Sequence, residues 1–290
     1  MNAIARPDVT GVFDPATSTV TYVVADPATG DCAVIDPVLD FDPRSGRVST
    51  HSADKVAAIV RERGLTPRWI LDTHVHADHM TGMAYLRESL GGRTGIGANV
   101  TDVQETFREF YSAEPGFKPD GSQFDHLFGD GEEFAVGDIP ARALHIPGHT
   151  PACVAYVVGD VVFTGDALLM PDFGTARCDF PGGDARMLYR SVRRLLDLPG
   201  DTRMFVGHDY GPGGRAIAWE TTVAAQRAGN VHIRDGVAED KFVALRAERD
   251  ATLELPALML ASVQVNMRAG RLPPADANGV SYLKIPVTRS

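Results

Sequence analysis

Residues 70–79 read ILDTHVHADH, an apolar run that ends with three histidines and an aspartate packed between His74 and His79. Imidazole and carboxylate groups at this density make a metal-binding edge, since they are the ligands of zinc, iron and manganese. The apolar run before them, RWILDT, reads as a buried strand whose far end carries the cluster into a loop. The feature therefore demands a sheet with chemistry at its edge. By itself it leaves open whether one ion or two is held there.

Three further segments repeat the same device. RALHIPGHTP is a strand running into a turn with His145 and His149. ACVAYVVGDVVFTGDAL contains two apolar strands joined by Gly159–Asp160, a two-residue hairpin turn, and ends at Asp166. TRMFVGHDY is a strand ending in His208. Four strand ends thus carry His74/His76/Asp78/His79, His149, Asp166 and His208. The short HxHxDH run can point alternate side chains at one centre and the next pair at a neighbour.

Around these strands the pattern alternates with helices. STVTYVVAD and CAVID form an early hairpin around PATG. STHSADKVAAIVRERG reads as a helix with Ser52 as N-cap and Val56, Ile59 and Val60 on one face, stopped at Gly64. DARMLYRSVRRLLDL is an amphipathic helix with Met187, Leu188, Val192, Leu195 and Leu196 as its apolar side. Beyond about residue 215, WETTVAAQRAG and EDKFVALRAERD read as helical, and the remainder as Pro-rich and irregular. Such alternation implies two sheets flanked by helices.

Composition narrows the function. A formal charge of −10 argues against a nucleic-acid partner, which needs a basic surface. Cys32, Cys153 and Cys178 are too few and scattered for a disulfide framework or a thiolate zinc site. No apolar stretch approaches the roughly 18–20 residues that span a bilayer, and MNAIARPDVTGVFDP lacks the apolar region of a signal peptide. A reducing, cytoplasmic setting without membrane attachment is the expectation.

THVHADH, PGHTP, FTGDALL and GHDY, in this order, resemble the metallo-β-lactamase superfamily. That resemblance implies an α/β fold, the αββα sandwich of two mixed β-sheets flanked by helices. It covers residues 1–290 as one domain, with a helical and irregular C-terminal extension over about 215–290. The series TGDALLMPDFGTARCDFPGGDARMLYRSV, HDY and QVNMRAG is similar to the persulfide dioxygenase branch, the relatives of the ethylmalonic encephalopathy protein and of bacterial β-lactamase hydrolase-like proteins. The branch implies a single Fe(II) per chain held by His74, His149 and Asp166. Such a 2-His-1-carboxylate face leaves positions free for sulfur and O2. The implied reaction converts glutathione persulfide, O2 and water into glutathione and sulfite.

The full set, with His76, Asp78, His79 and His208, also matches a dinuclear zinc site of the glyoxalase II type, which hydrolyses thioesters or lactones. In the dioxygenase branch the same four residues would support the ligands from behind. On the substrate side the resemblance points to Arg177 as partner of a glutathione carboxylate. Tyr210 would be a hydroxyl beside metal and substrate and Arg268 a border of the glutathione cleft, while Asp166 and Tyr210 carry the catalytic expectation. Cys178 stands where the animal relatives have a small or hydroxylated residue; a sulfur relay competes there with a buried cysteine acting as a small hydrophobe. Asp179 reads as a loop holder. Relatives are often homodimers, an assembly that no stripe of this sequence specifies.

Overall fold

The computed structural model describes residues 6–287. In chain order its first half contains β1 (Asp8–Asp14), β2 (Thr19–Ala25), β3 (Asp31–Ile35), β4 (Val38–Asp42), β5 (Arg47–Ser49), α1 (His51–Glu62), β6 (Thr66–Leu71), β7 (Met80–Thr81), α2 (Met83–Leu90), β8 (Arg93–Gly97) and α3 (Val100–Phe110). There follow β9 (His126–Phe128), β10 (Glu133–Val136), β11 (Ile139–His145), β12 (Val154–Val158), β13 (Val161–Phe163), α4 (Ala185–Leu196), β14 (Arg203–Phe205), β15 (Glu220–Thr222), α5 (Val223–Gly229), α6 (Glu239–Asp250) and α7 (Met259–Asn266).

One six-stranded sheet runs β1-β2-β3-β6-β8-β9 and the other β10-β11-β12-β13-β14-β15. Both are mixed: β3, β6, β8 and β9 pair in parallel, as do β13 and β14, and the remaining pairs are antiparallel. A small sheet, β5-β4-β7, lies beside them.

Strand β2, TVTYVVA, is buried along its whole length, as a strand covered on both faces must be. Alternate side chains enter different cores. Val20, Tyr22 and Val24 meet Tyr156, Phe163 and Phe205 of the second sheet. Val23 and Ala25 instead join Val56 and Val60 of α1, Phe107 of α3 and Val263 of α7. Behind the second sheet, Val162 and Met204 pack on Leu188, Val192 and Leu195 of α4 and on Phe242 of α6. The layers are therefore helix, sheet, sheet, helix, as the sequence implies.

Four local readings change. Ser52 lies inside α1, whose N-cap is Thr50; its amide and hydroxyl are instead bonded to Asp40. Glu220–Thr222 is an edge strand pairing with Arg203–Phe205, and Thr222 then caps α5 by accepting from the Ala225 amide. The region after α6, expected to be irregular, contains α7. Met187 on α4 is 44% exposed and stands outside the apolar face that α4 buries. The cap of α4 is Asp184, which accepts from the Met187 amide at 2.8 Å, worth about 1 kcal/mol.

The site edge is made where the two sheets are stitched together. Val154 donates to the Thr73 carbonyl, Val20 to that of Gly207 and Asp209 to that of Ser18. The buried hydroxyls of Tyr22 and Tyr156 donate to the carbonyls of Val206 and Asp72. Each bond joins a segment leading into one metal-ligand candidate to the opposite sheet. No helix among the described residues is long and apolar enough to cross a membrane.

Candidate metal centre

The connections after β6, β11, β13 and β14 bring His74, His149, Asp166 and His208 together. Asp166 Oδ2 lies 3.8 Å from His74 Nε2 and 3.7 Å from His149 Nε2. Its other oxygen, Oδ1, faces His208 Nε2 at 3.2 Å. His208 Nε2 is also 3.6 Å from Asp78 Oδ2, and His76, Asp78 and His79 form a further close group. All seven residues expected at the metal edge therefore converge there. Ligand atoms that share an ion at about 2.0–2.2 Å sit roughly 3–3.5 Å apart, so the first group is only slightly open.

The imidazoles are oriented by what their other nitrogens touch. His74 Nδ1 bonds Thr73 Oγ1 at 3.0 Å, and that hydroxyl donates to Asp36 at 2.9 Å. His149 Nδ1 donates to the Arg177 carbonyl at 2.7 Å. His208 Nδ1 faces the Ser18 carbonyl at 3.2 Å, and His79 Nδ1 faces Asp78 at 2.8 Å. These contacts turn the Nε2 atoms inward. Buried Nε2 of His74 and of His79 then have no hydrogen-bond partner. His76 Nδ1 is bare as well, and buried imidazole nitrogens left so cost free energy unless something occupies them; nitrogen and carboxylate donors, with no thiolate among them, suit iron, zinc or manganese. The residues fit a metal.

The electrostatics agree for His74 and Asp166 and set His76 and His208 apart as cationic imidazoles. Burial and the neighbouring His76 hold His74 well below the usual imidazole range, so it is neutral, as a ligand must be. Burial would raise Asp166, but His208 and His74 outweigh it and keep the carboxylate ionised. Burial likewise opposes charge on His76, yet Asp36, 3.0 Å from its Nε2, lifts it to about 9. His208 is lifted to about 10 against its own burial by Asp166 and Asp78.

Beside the ligands opens a cavity of about 340 Å³. Asp78, His149, Asp166 and His208 reach its floor, and Leu169, Phe173, Phe180, Leu253 and Pro256 make much of its wall. Tyr210 lines it, its ring parallel to His208 at 6.0 Å. Half of Tyr210 reaches solvent, but desolvation and the Asp166 and Asp78 carboxylates push its hydroxyl up, keeping it protonated.

The other substrate-side expectations fare differently. Arg177 lines the cavity, but its guanidinium grips Asp179 with two bonds and the carbonyls of Leu253 and Glu254 with others. Asp179 is thus the loop holder expected. Arg268 lies elsewhere: buried over Phe117, it bonds Glu114 and the Gln264 carbonyl and does not border the cavity. Cys178 also misses the cavity; burial pushes its thiol up to about 12, which leaves it a packing residue. His145 is turned to the Phe128 carbonyl.

Sequence reading missed two supports. Asp36 ends the strand CAVID just as Asp166 ends its own, and that shared strand-end position was the signal available. Helix α7 clamps the HxHxDH loop: Ser262 donates to the Ala77 carbonyl, and Asn266 donates to the carbonyls of His76 and His79 while accepting from the Thr81 amide. QVNMRAG was expected to pack back on the sandwich, and it does so on the metal loop itself.

The profile of the metallo-beta-lactamase superfamily matches residues 14–208. The chain belongs to that superfamily. A probable metallo-hydrolase of Burkholderia pseudomallei is 56% identical, covering 96% of this chain and 98% of that protein. Glyoxylase B2 of Dictyostelium discoideum is 48% identical over 93% of each chain. The mitochondrial persulfide dioxygenase of Homo sapiens is 34% identical over 69% of this chain and 67% of that one. Among solved structures, ETHE1 from Myxococcus xanthus matches with TM-score 0.73 and 31% identity, over 91% of this chain and all of that one. Within the superfamily the chain falls in the persulfide dioxygenase branch, together with the bacterial β-lactamase hydrolase-like proteins. The chain spans 65% of the length of one of these, from Agrobacterium fabrum, to which it is 53% identical.

Proposed function

We propose that the protein is a mononuclear iron persulfide dioxygenase that oxidises glutathione persulfide with O2 and water to sulfite and glutathione. The observation that carries this reading is the grouping of ligands. His74, His149 and Asp166 come together without His76, and His149 and Asp166 line a cavity with a largely apolar wall. Two imidazoles and one carboxylate on one face are the donor set for ferrous iron, which supplies oxygen activation that redox-inert zinc does not. The chain's own residues would do the rest. Thr73 and the Arg177 carbonyl hold the two imidazoles in the ligating tautomer. Leu169, Phe173 and Phe180 would exclude water from the sulfur, and the protonated Tyr210 hydroxyl would donate to it.

One observation favours a second reading. The two oxygens of Asp166 face different ligand groups, His74/His149 and His208, which is how a bridging carboxylate in a dinuclear hydrolase would stand. The test strips the protein of metal and reloads it with Fe(II) or with Zn(II). Sulfite formed from glutathione persulfide only with Fe(II) supports the dioxygenase. Thiol released from S-lactoylglutathione with Zn(II), and no sulfite with Fe(II), would overturn it.

A further inference from the structure

The cavity wall carries more charge than the metal centre uses. Three arginines line it: Arg177, Arg246 and Arg249. Two are committed inside the fold, Arg177 to Asp179 and two carbonyls, Arg246 to Asp250 and the Thr175 carbonyl. Arg249 is exposed, and among the described residues no carboxylate pairs with its guanidinium, which lies over the Phe173 ring at 5.7 Å. Glu254 is its counterpart on the same cavity. Its backbone carbonyl accepts from Arg177, but its exposed carboxylate has no ion-pair partner among the described residues. Two opposite charges on one cavity that form no ion pair among the described residues, not even with each other, are placed for a ligand that brings both signs.

The separation of Arg249 from the metal ligands is spanned by a series of rings. His208 lies parallel to Tyr210 at 6.0 Å, Tyr210 packs on Phe173 at 4.7 Å, and Arg249 covers Phe173 at 5.7 Å. Arg249 is therefore three steps out from the ligand set. In a free cysteine-type persulfide the α-carbon is three bonds from the terminal sulfur, too short a span for one end to sit at the metal and the other at this mouth.

We propose that Arg249 and Glu254 form a head-group subsite for the zwitterionic α-amino-acid end of an extended thiol. Arg249 takes the α-carboxylate and Glu254 the α-ammonium while the sulfur lies at the metal centre. The inference deepens the functional reading above and rests on its placement of the sulfur, though not on which reaction follows.

The test is calorimetric titration of the metal-loaded protein with S-methylglutathione and with its glutaryl analogue, which keeps the carboxylates and lacks the ammonium. The wild type is expected to bind the glutaryl analogue about 10-fold more weakly, the size of one charge-assisted hydrogen bond. Glu254→Gln erases that difference. Arg249→Gln weakens both ligands about 10-fold, and Arg249→Lys recovers part of the loss. With glutathione persulfide as substrate the loss appears in KM, with kcat moving less than about twofold. Equal binding of the two ligands by the wild type, no binding of either, or wild-type affinity in Arg249→Gln and Glu254→Gln would each overturn the subsite. Head-group discrimination without persulfide oxidation leaves the subsite standing and sinks the dioxygenase reading; oxidation without discrimination does the reverse.

Discussion

Asp166 is the residue on which the two readings divide, because its two oxygens face two ligand groups. With one iron the indispensable ligands are His74, His149 and Asp166, while His79 serves from outside. His74→Ala is then expected to abolish metal retention and oxygen uptake, while His79→Ala retains the metal and loses no more than about 10-fold in rate. Metal content by mass spectrometry, alongside oxygen uptake, checks both variants; equal loss of metal in the two contradicts a single-ion site. The packing here is close. A Cβ on Gly207 would stand 2.7 Å from Asp166 Oδ1 and 3.0 Å from the Gly165 backbone, so Gly207→Ala should displace the carboxylate. The expected result is weaker metal binding with the fold kept, read by chelator competition and circular dichroism. Arg177 bears on the site through its backbone as much as through its charge, since its carbonyl orients His149.

At the scale of elements, α7 ties the C-terminal region to the metal loop. Asn266 satisfies two loop carbonyls and one amide, all buried. Its removal untethers, at His76 and His79, the loop that carries the ligand His74. Asn266→Ala is expected to cost about 10- to 100-fold in metal affinity, the usual scale for partners behind the ligands, with the fold retained. An unchanged chelator-competition curve would contradict the clamp. This element was hidden in the sequence for a physical reason. PALMLASVQVNM is apolar on all sides because α7 meets both the helical layer and the small sheet, so it lacks the one-sided periodicity that marks α4. The misread Glu220–Thr222 has a related cause: three residues cannot show alternation, and β14 decides their state. The metal ligands were legible because side chains perform their chemistry. Their supports at Ser18 and Arg177 are backbone carbonyls, which any residue supplies, and Arg249 and Glu254 look like ordinary charges of a solvated helix and loop until the cavity brings them together.

Across the whole molecule, the loop from Asp166 to Asp184 is pinned to the α5–α6 connection through His232. Its Nδ1 accepts from the Thr175 amide at 3.0 Å, which requires that nitrogen unprotonated. Burial, then the charges of Arg246 and Arg249, lower His232 to about 4. The unfolded chain therefore binds this proton more readily than the folded one between about pH 6.5 and 4. Stability is full above the unfolded value and falls with acid across that window, by about 3 kcal/mol at its end. His232→Asn, which keeps an acceptor without a basic nitrogen, should flatten that slope in urea unfolding measured from pH 7 to 4; an unchanged slope contradicts the assignment.

The central claim is that one iron, held by two histidines and one carboxylate, serves oxygen chemistry on a persulfide. The direct measurement is metal per chain in anaerobically purified protein, followed by oxygen consumption on adding glutathione persulfide. The account predicts about one iron per chain and one O2 consumed per sulfite formed. Two metal ions per chain, with no oxygen consumed, would contradict it.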